Sequence, residues 1–192
     1  IKRTFTWLER LVFNGAAGVS VVSLGFPVYF QSINVDTSGW SFFPNGVDQE
    51  FIGHYTEENV LSNKVKTILY AGNIGEGQGL EKIIPNIARE IGVTYQINIV
   101  GDGSAVGKLK KSISKQNLSN IKLIPPVDRK KLIEYYLEAD ILFLHLNDLN
   151  AFKRVLPSKI FEYGALGKPI VAGLSGYSAD FVRINIPYAL TF

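Results

Sequence analysis

From Lys64 onward, short apolar runs alternate with longer amphipathic stretches. Residues 67–71 read as a strand, followed by a glycine-rich loop and a helix over 79–91. A second strand over 95–100 ends in Gly101-Asp102-Gly103 and leads to a basic helix over 104–116. Strands over 120–124, 140–145 and 169–172 continue the series, with a charged helix over 128–139 between the first two. Strands rich in Ile, Val and Leu, separated by helices of this length, predict βαβ units and a parallel sheet. Crossovers in such sheets are right-handed, and ligands sit at the carboxyl ends of the strands. The glycine loops fall at those ends.

The first sixty residues differ. Residues 9–13 read as helix, 19–23 as strand and 26–33 as helix with Pro27 near its start. Residues 40–43 lead into Pro44-Asn45-Gly46-Val47-Asp48, a tight turn by composition, because Asn-Gly supplies positive φ at little cost. Asn45 and Asp48 are expected to shape that turn. The chain opens at Ile1 and ends at Thr191-Phe192 inside a strand-like run, so a fragment is expected. Residues 1–30 read as the remnant of a preceding domain and its linker, and 31–192 as one C-terminally truncated domain.

The segment Leu156-Pro157-Ser158-Lys159-Ile160-Phe161-Glu162 carries the most chemistry. It predicts a short helix with Pro157 at the first helical position, where a missing N–H costs nothing. Free amides at that opening, with Lys159 in the first turn, suit an anion, which would also relieve the dipole penalty on the lysine. Glu162 lies three residues after Lys159, so the two can share a helix face. The plain alternative is a surface Lys–Glu pair. Gly167-Lys168-Pro169 then stops the helix before a buried strand.

Composition narrows the field. With 192 residues, 46% hydrophobic and 19% charged, the chain is a folded globular protein. It has no cysteine, which removes disulfides, thiol catalysis and thiolate metal sites. His54 and His145 show no metal-ligand spacing, so no metal and no cofactor are expected. A net charge of +3 is compatible with an anionic ligand but does not argue for nucleic acid. The lysines between Lys108 and Lys131 read first as a solvated helix face and second as a surface for anionic lipid. No membrane-spanning run and no signal peptide stand out.

The order of segments resembles the retaining glycosyltransferases of the GT-B fold, family 4. Four features carry the likeness: the turn at 44–48, the loop from Ala71 to Leu80, Gly101-Asp102-Gly103, and the Glu162 helix before Gly167-Lys168-Pro169. The resemblance implies the donor-binding, C-terminal Rossmann-like half of such an enzyme, of the kind that builds bacterial capsules, O-antigens and other surface polysaccharides. It implies a nucleotide-sugar donor, usually on UDP, and a saccharide or polyprenyl-linked acceptor. A largely missing N-terminal domain and cytoplasmic work near the inner membrane face, with peripheral membrane association, also follow. By the same resemblance Glu162 accepts from the ribose hydroxyls, and main chain near Leu156, Pro157 and Ser158 meets the distal phosphate. Gly72, Asn73 and Gly75, with Gly101 and Gly103, line the donor, and Val127 with Pro126 lines the base.

Two departures stand out. Arg154 occupies the place of the family's first motif glutamate, and Asn73 and Gln78 replace its phosphate-binding Arg and Lys. A departing diphosphate needs its growing charge neutralised, so Arg154 and Lys159 are expected to act catalytically in place of that pair. His145, at a strand end, is expected to be a satisfied, partly buried histidine. Two other functions compete. The departures suggest a binding or scaffolding domain without turnover. Gly101, Gly103 and Gly107 suggest a nicotinamide enzyme, but that spacing is one residue too long and no acid ends the next strand.

Overall fold

A computed structural model describes residues 2–53 and 65–192; His54 lies outside them. The centre is a six-stranded parallel sheet of β3 (Lys66–Ala71), β4 (Tyr95–Val100), β5 (Ile121–Ile124), β6 (Ile141–His145), β7 (Ile170–Gly173) and β8 (Ala189–Thr191). Ahead of it stand α1 (Lys2–Gly15), β1 (Ser20–Val21), α2 (Gly25–Ser32) and β2 (Ser41–Phe42), with β1 and β2 paired as a separate parallel ribbon. The sheet order is β5-β4-β3-β6-β7-β8. The chain therefore steps outward from β3 in one direction, returns, and steps outward from β6 in the other, leaving a switch point between β3 and β6.

Strand side chains alternate between two cores, as period two requires. Leu69, Ala71, Val100, Leu142 and Leu144 face one core, together with Tyr136, Ile160, Tyr163, Ala179 and Val182. These last come from α5 (Arg129–Glu138), α6 (Lys159–Ala165) and α7 (Tyr177–Asn185). Tyr70, Ile97, Ile99 and Phe143 face the other, covered by α3 (Leu80–Ile91) and α4 (Val106–Lys115). Burial on both faces is why these strands read as unbroken apolar runs. Each strand delivers its carboxyl end to one rim.

Two expectations need correction. Pro157 does not occupy the first turn of α6. Ser158 is the capping residue, and Ile160 and Phe161 donate back to the carbonyls of Pro157 and Ser158 at 3.1 and 3.0 Å. The entry is thus a tight three-residue turn, and α6 has only 7 residues. Nor do residues 44–48 form a positive-φ turn, since neither Asn45 nor Gly46 adopts positive φ. Arg129 explains this: it pairs with Asp48 and, at 2.7 Å, with Glu50, drawing the segment across to the start of α5. Phe51 is thereby seated in the core at 2% exposure.

Candidate functional site

At the carboxyl ends of β3, β4 and β5 lies an open cavity of about 340 Å³. Gly72 and Asn73 line it after β3, Val100, Gly101 and Asp102 after β4, Pro126 and Val127 after β5, with Leu132 and Lys159 closing the side. The first two loops are fastened to each other: Gly72 donates to Val100 at 2.9 Å, Ile74 to Asp102 at 2.7 Å and Ala105 to Ile74 at 2.9 Å. Glycine is required for this approach. A Cβ on Gly101, whose φ is +145°, would fall 1.9 Å from the Gly72 carbonyl oxygen, and one on Gly103 2.5 Å from that of Ile74. Gly101 is thus both cavity wall and loop joint, whereas Gly103 serves the joint alone.

Lys159 and Glu162 stand together beside this cavity. Lys159 Nζ donates to Glu162 Oε2 at 2.8 Å and to the Tyr136 hydroxyl at 2.8 Å, and that hydroxyl donates to Glu162 Oε2 at 3.1 Å. Burial, reinforced by Tyr163 and Glu162, holds the Tyr136 hydroxyl far above the ordinary tyrosine value, so it keeps its proton. Tyr163 is raised in the same way by burial and accepts from the Ala71 amide at 3.3 Å, tying α6 to the end of β3. The anticipated Lys–Glu pair exists: Lys159 lines the cavity, Glu162 stands behind it outside the lining, and Tyr136 is a buried third member. Tyr136 escaped the sequence reading. Its spacing from Leu132 marks a core-facing helix position, yet nothing in the pattern ties its hydroxyl to residues 23 and 26 positions away.

The remaining expected site residues divide. Gly72, Asn73, Gly101, Val127 and Lys159 share the cavity lining. Gly75 and Gly103 do not, and their amides are engaged by Gln78 Oε1 at 3.1 Å and Asp102 Oδ1 at 2.8 Å. Leu156 is 3% exposed within the core and is not part of the lining. Pro157 and Ser158 lie on the adjoining turn, outside the lining.

Arg154 is not brought to Lys159. Its guanidinium stacks on the Tyr29 ring of α2, and its carbonyl accepts from Ser23 Oγ. It lines a different cavity of about 440 Å³, with Gly25, Tyr29, Lys153 and Tyr177 among its neighbours. The three-residue turn Phe152–Arg154 carries the side chain toward α2 and away from the strand ends. Asn73 and Gln78 hydrogen-bond each other at 3.1 Å, closing their loop. Lys159 and Asp102 are thus the charged side chains of the cleft lining. His145 is satisfied, as expected: Nδ1 donates to the Gln78 carbonyl at 2.6 Å, and the ring packs in a cluster with Phe143 and Phe192, all three centroids about 6 Å apart. Among the described residues no three His, Cys, Asp or Glu side chains gather as a metal site, and no helix is long and apolar enough to cross a membrane.

An all-parallel sheet with this strand order and a cleft at its carboxyl rim defines a Rossmann-like α/β domain. The chain belongs to the family described as glycosyl transferases group 1, whose model matches residues 53–186. A relative in Escherichia coli K12, WcaI, whose name assigns it to colanic acid biosynthesis as a glycosyl transferase, is 28% identical over 181 residues. That match covers 90% of this chain and 44% of WcaI. Among solved structures, Anabaena Alr3699/HepE in complex with UDP superposes with a TM-score of 0.77 at 17% identity, covering 100% of this chain and 54% of HepE. HepE with UDP-glucose gives 0.74 at 17% identity, covering 95% and 52%. Staphylococcus aureus TarM, in a complex that includes UDP, gives 0.69 at 14% identity, covering 95% and 35%. The chain spans about half the length of such relatives, or less.

Proposed function

We propose that this chain is the donor-binding domain of a retaining glycosyltransferase. It takes a nucleoside diphosphate sugar, with UDP as the carrier, and passes the sugar to a saccharide or lipid-linked acceptor in cell-surface polysaccharide synthesis. The observation that carries this reading is the Lys159–Glu162 pair beside a cleft at the carboxyl rim of β3, β4 and β5. A nucleotide laid along that rim puts its base against Val127 and Pro126, its ribose hydroxyls on Glu162 and its phosphates near Lys159. A carboxylate accepts from two adjacent hydroxyls, and an ammonium acts on phosphate as a point charge. The UDP complexes of HepE and the polysaccharide assignment of WcaI support the choice of donor and product.

The protein acts on the reaction by positioning and by electrostatic stabilisation of the departing diphosphate. We assign no protein nucleophile and no metal. The acceptor side belongs to sequence beyond this domain, given the coverage of the relatives, so the domain alone binds donor without transferring sugar. The work is placed in the cytoplasm, at the inner membrane face when the acceptor is lipid-linked. Titration of the chain with UDP, GDP and ADP tests the reading: stabilisation by UDP supports it, and no response to any of the three refutes it.

One observation favours a second reading, a nucleotide-sugar-binding domain without turnover. Asn73 and Gln78 are spent on each other and Arg154 is spent on Tyr29, leaving the phosphates fewer cations than the family pattern supplies. Turnover by the longer protein with a matched donor and acceptor separates the two.

A further inference from the structure

Tyr136 sits at the centre of the polar cluster beside the cleft. Its ring is 0% exposed and packs against Phe51 and Tyr163, with centroid separations of 5.9 and 5.5 Å. The hydroxyl is the only polar atom of that side chain, and it has a partner on each side. It accepts from Lys159 and donates to Glu162.

A count of donors and acceptors shows what this leaves over. An ammonium has three N–H donors, and Lys159 uses two, on Tyr136 and on Glu162 Oε2. Glu162 Oε2 receives both protein donors, while among the described residues no protein hydrogen bond engages Oε1. The geometry points to Tyr136 as a positioning residue that keeps one donor of Lys159 and one oxygen of Glu162 available to a ribonucleoside diphosphate, whose anion and vicinal diol need both. Without the hydroxyl, Lys159 and Glu162 have only each other. Three residues apart on one helix, they close into a two-point pair that consumes the free groups. The raised proton affinity of the buried hydroxyl ensures that Oε2 always has a donor. This inference rests on the nucleotide reading above and adds to it the means by which the site is held ready.

Tyr136→Phe keeps the ring and its packing and removes one oxygen. Calorimetric titration of the chain and this variant with UDP and with 2′-deoxy-UDP reads the effect. The wild-type chain is expected to prefer UDP over the deoxy analogue by roughly tenfold, the scale of a hydrogen bond to a charged group. Tyr136→Phe is expected to weaken UDP about tenfold and reduce the preference to about threefold or less. A variant that binds both as well as wild type, or that weakens both equally with the preference intact, overturns the inference. A wild-type chain that binds UDP without preferring the ribose overturns the role of Glu162 and this inference with it. A wild-type chain that binds neither overturns the nucleotide reading itself. Should the Phe variant fail to fold, Lys159→Met carries the test. Tyr136 still holds Oε2 there, so affinity falls while the ribose preference persists; a lost preference contradicts the assignment.

Discussion

The Arg154 guanidinium carbon lies 3.6 Å from the centre of the Tyr29 ring, on the α2 side of the molecule and not beside Lys159. The contact joins the segment that carries β1 and β2 to the loop after β6, and Ser23 reinforces it by donating to the Arg154 carbonyl. A residue whose position in the family pattern suggests donor chemistry is thus held against α2 in this chain.

Arg154→Ala is therefore expected to cost stability and spare the nucleotide. Loss of a partly shielded cation–π contact is worth about 1 kcal/mol, read as a lowered midpoint in urea. Affinity for UDP is expected to stay within about twofold, a shift well under 1 kcal/mol. A tenfold loss of UDP affinity with unchanged stability would return Arg154 to the donor site.

Lys159→Met is expected to separate the phosphates from the nucleoside. Removing the ammonium costs UDP roughly tenfold in affinity, as for a charge-assisted bond, and leaves uridine unaffected. Equal losses for both ligands would mean that Lys159 shapes the cleft without touching phosphate.

Gly101→Ala tests the joint between the loops. Its Cβ would meet the Gly72 carbonyl, which is backbone and has no rotamer to escape into. A cost of about 3 kcal/mol in unfolding free energy is expected, combining overpacking with an unfavourable φ. Loss of UDP binding should accompany it, because Gly72 and Gly101 are neighbours in the cleft wall. A folded variant of full stability contradicts the tight approach.

Asp140 supplies a pH dependence. Burial would raise its carboxyl, but the Thr67 amide at 2.7 Å and Lys66 at 3.0 Å, helped by Lys168, outweigh it and hold the group below its ordinary 3.8. A depressed folded-state value means the carboxylate stabilises the fold above the ordinary value and loses that contribution as pH falls through the lowered one. Asp140→Asn should therefore be less stable than wild type near neutral pH, by at most about 1 kcal/mol, with the gap closing below about pH 4. Urea unfolding across that range reads it; a gap that widens in acid contradicts the sign.

The sheet was legible because burial on both faces writes each strand as an apolar run, and because βα loops need glycine where they meet. The Lys159–Glu162 pairing was legible from three-residue spacing on a helix. Other features were not. Its backbone preference suggests a helical first turn for Pro157, while the chain uses a tighter turn there that closes on the Pro157 carbonyl. Asn-Gly suggests a turn at 44–48, but the pull of Arg129 on Asp48 and Glu50 is tertiary and leaves no local mark. Helix α7 offers little periodic signal because its buried face, Ser178, Ala179 and Val182, is made of small residues and includes a serine. The direction of Arg154 and the hydroxyl of Tyr136 depend on partners more than twenty residues away, beyond any periodic signal.

A crystal structure of the chain with UDP measures the central claim most directly. The account predicts a phosphate oxygen within about 3 Å of Lys159 Nζ, ribose hydroxyls on Glu162 Oε1 and the uracil against Val127. Density for UDP beside Arg154 and Tyr29, with the cleft at the ends of β3, β4 and β5 filled only by solvent, would contradict it.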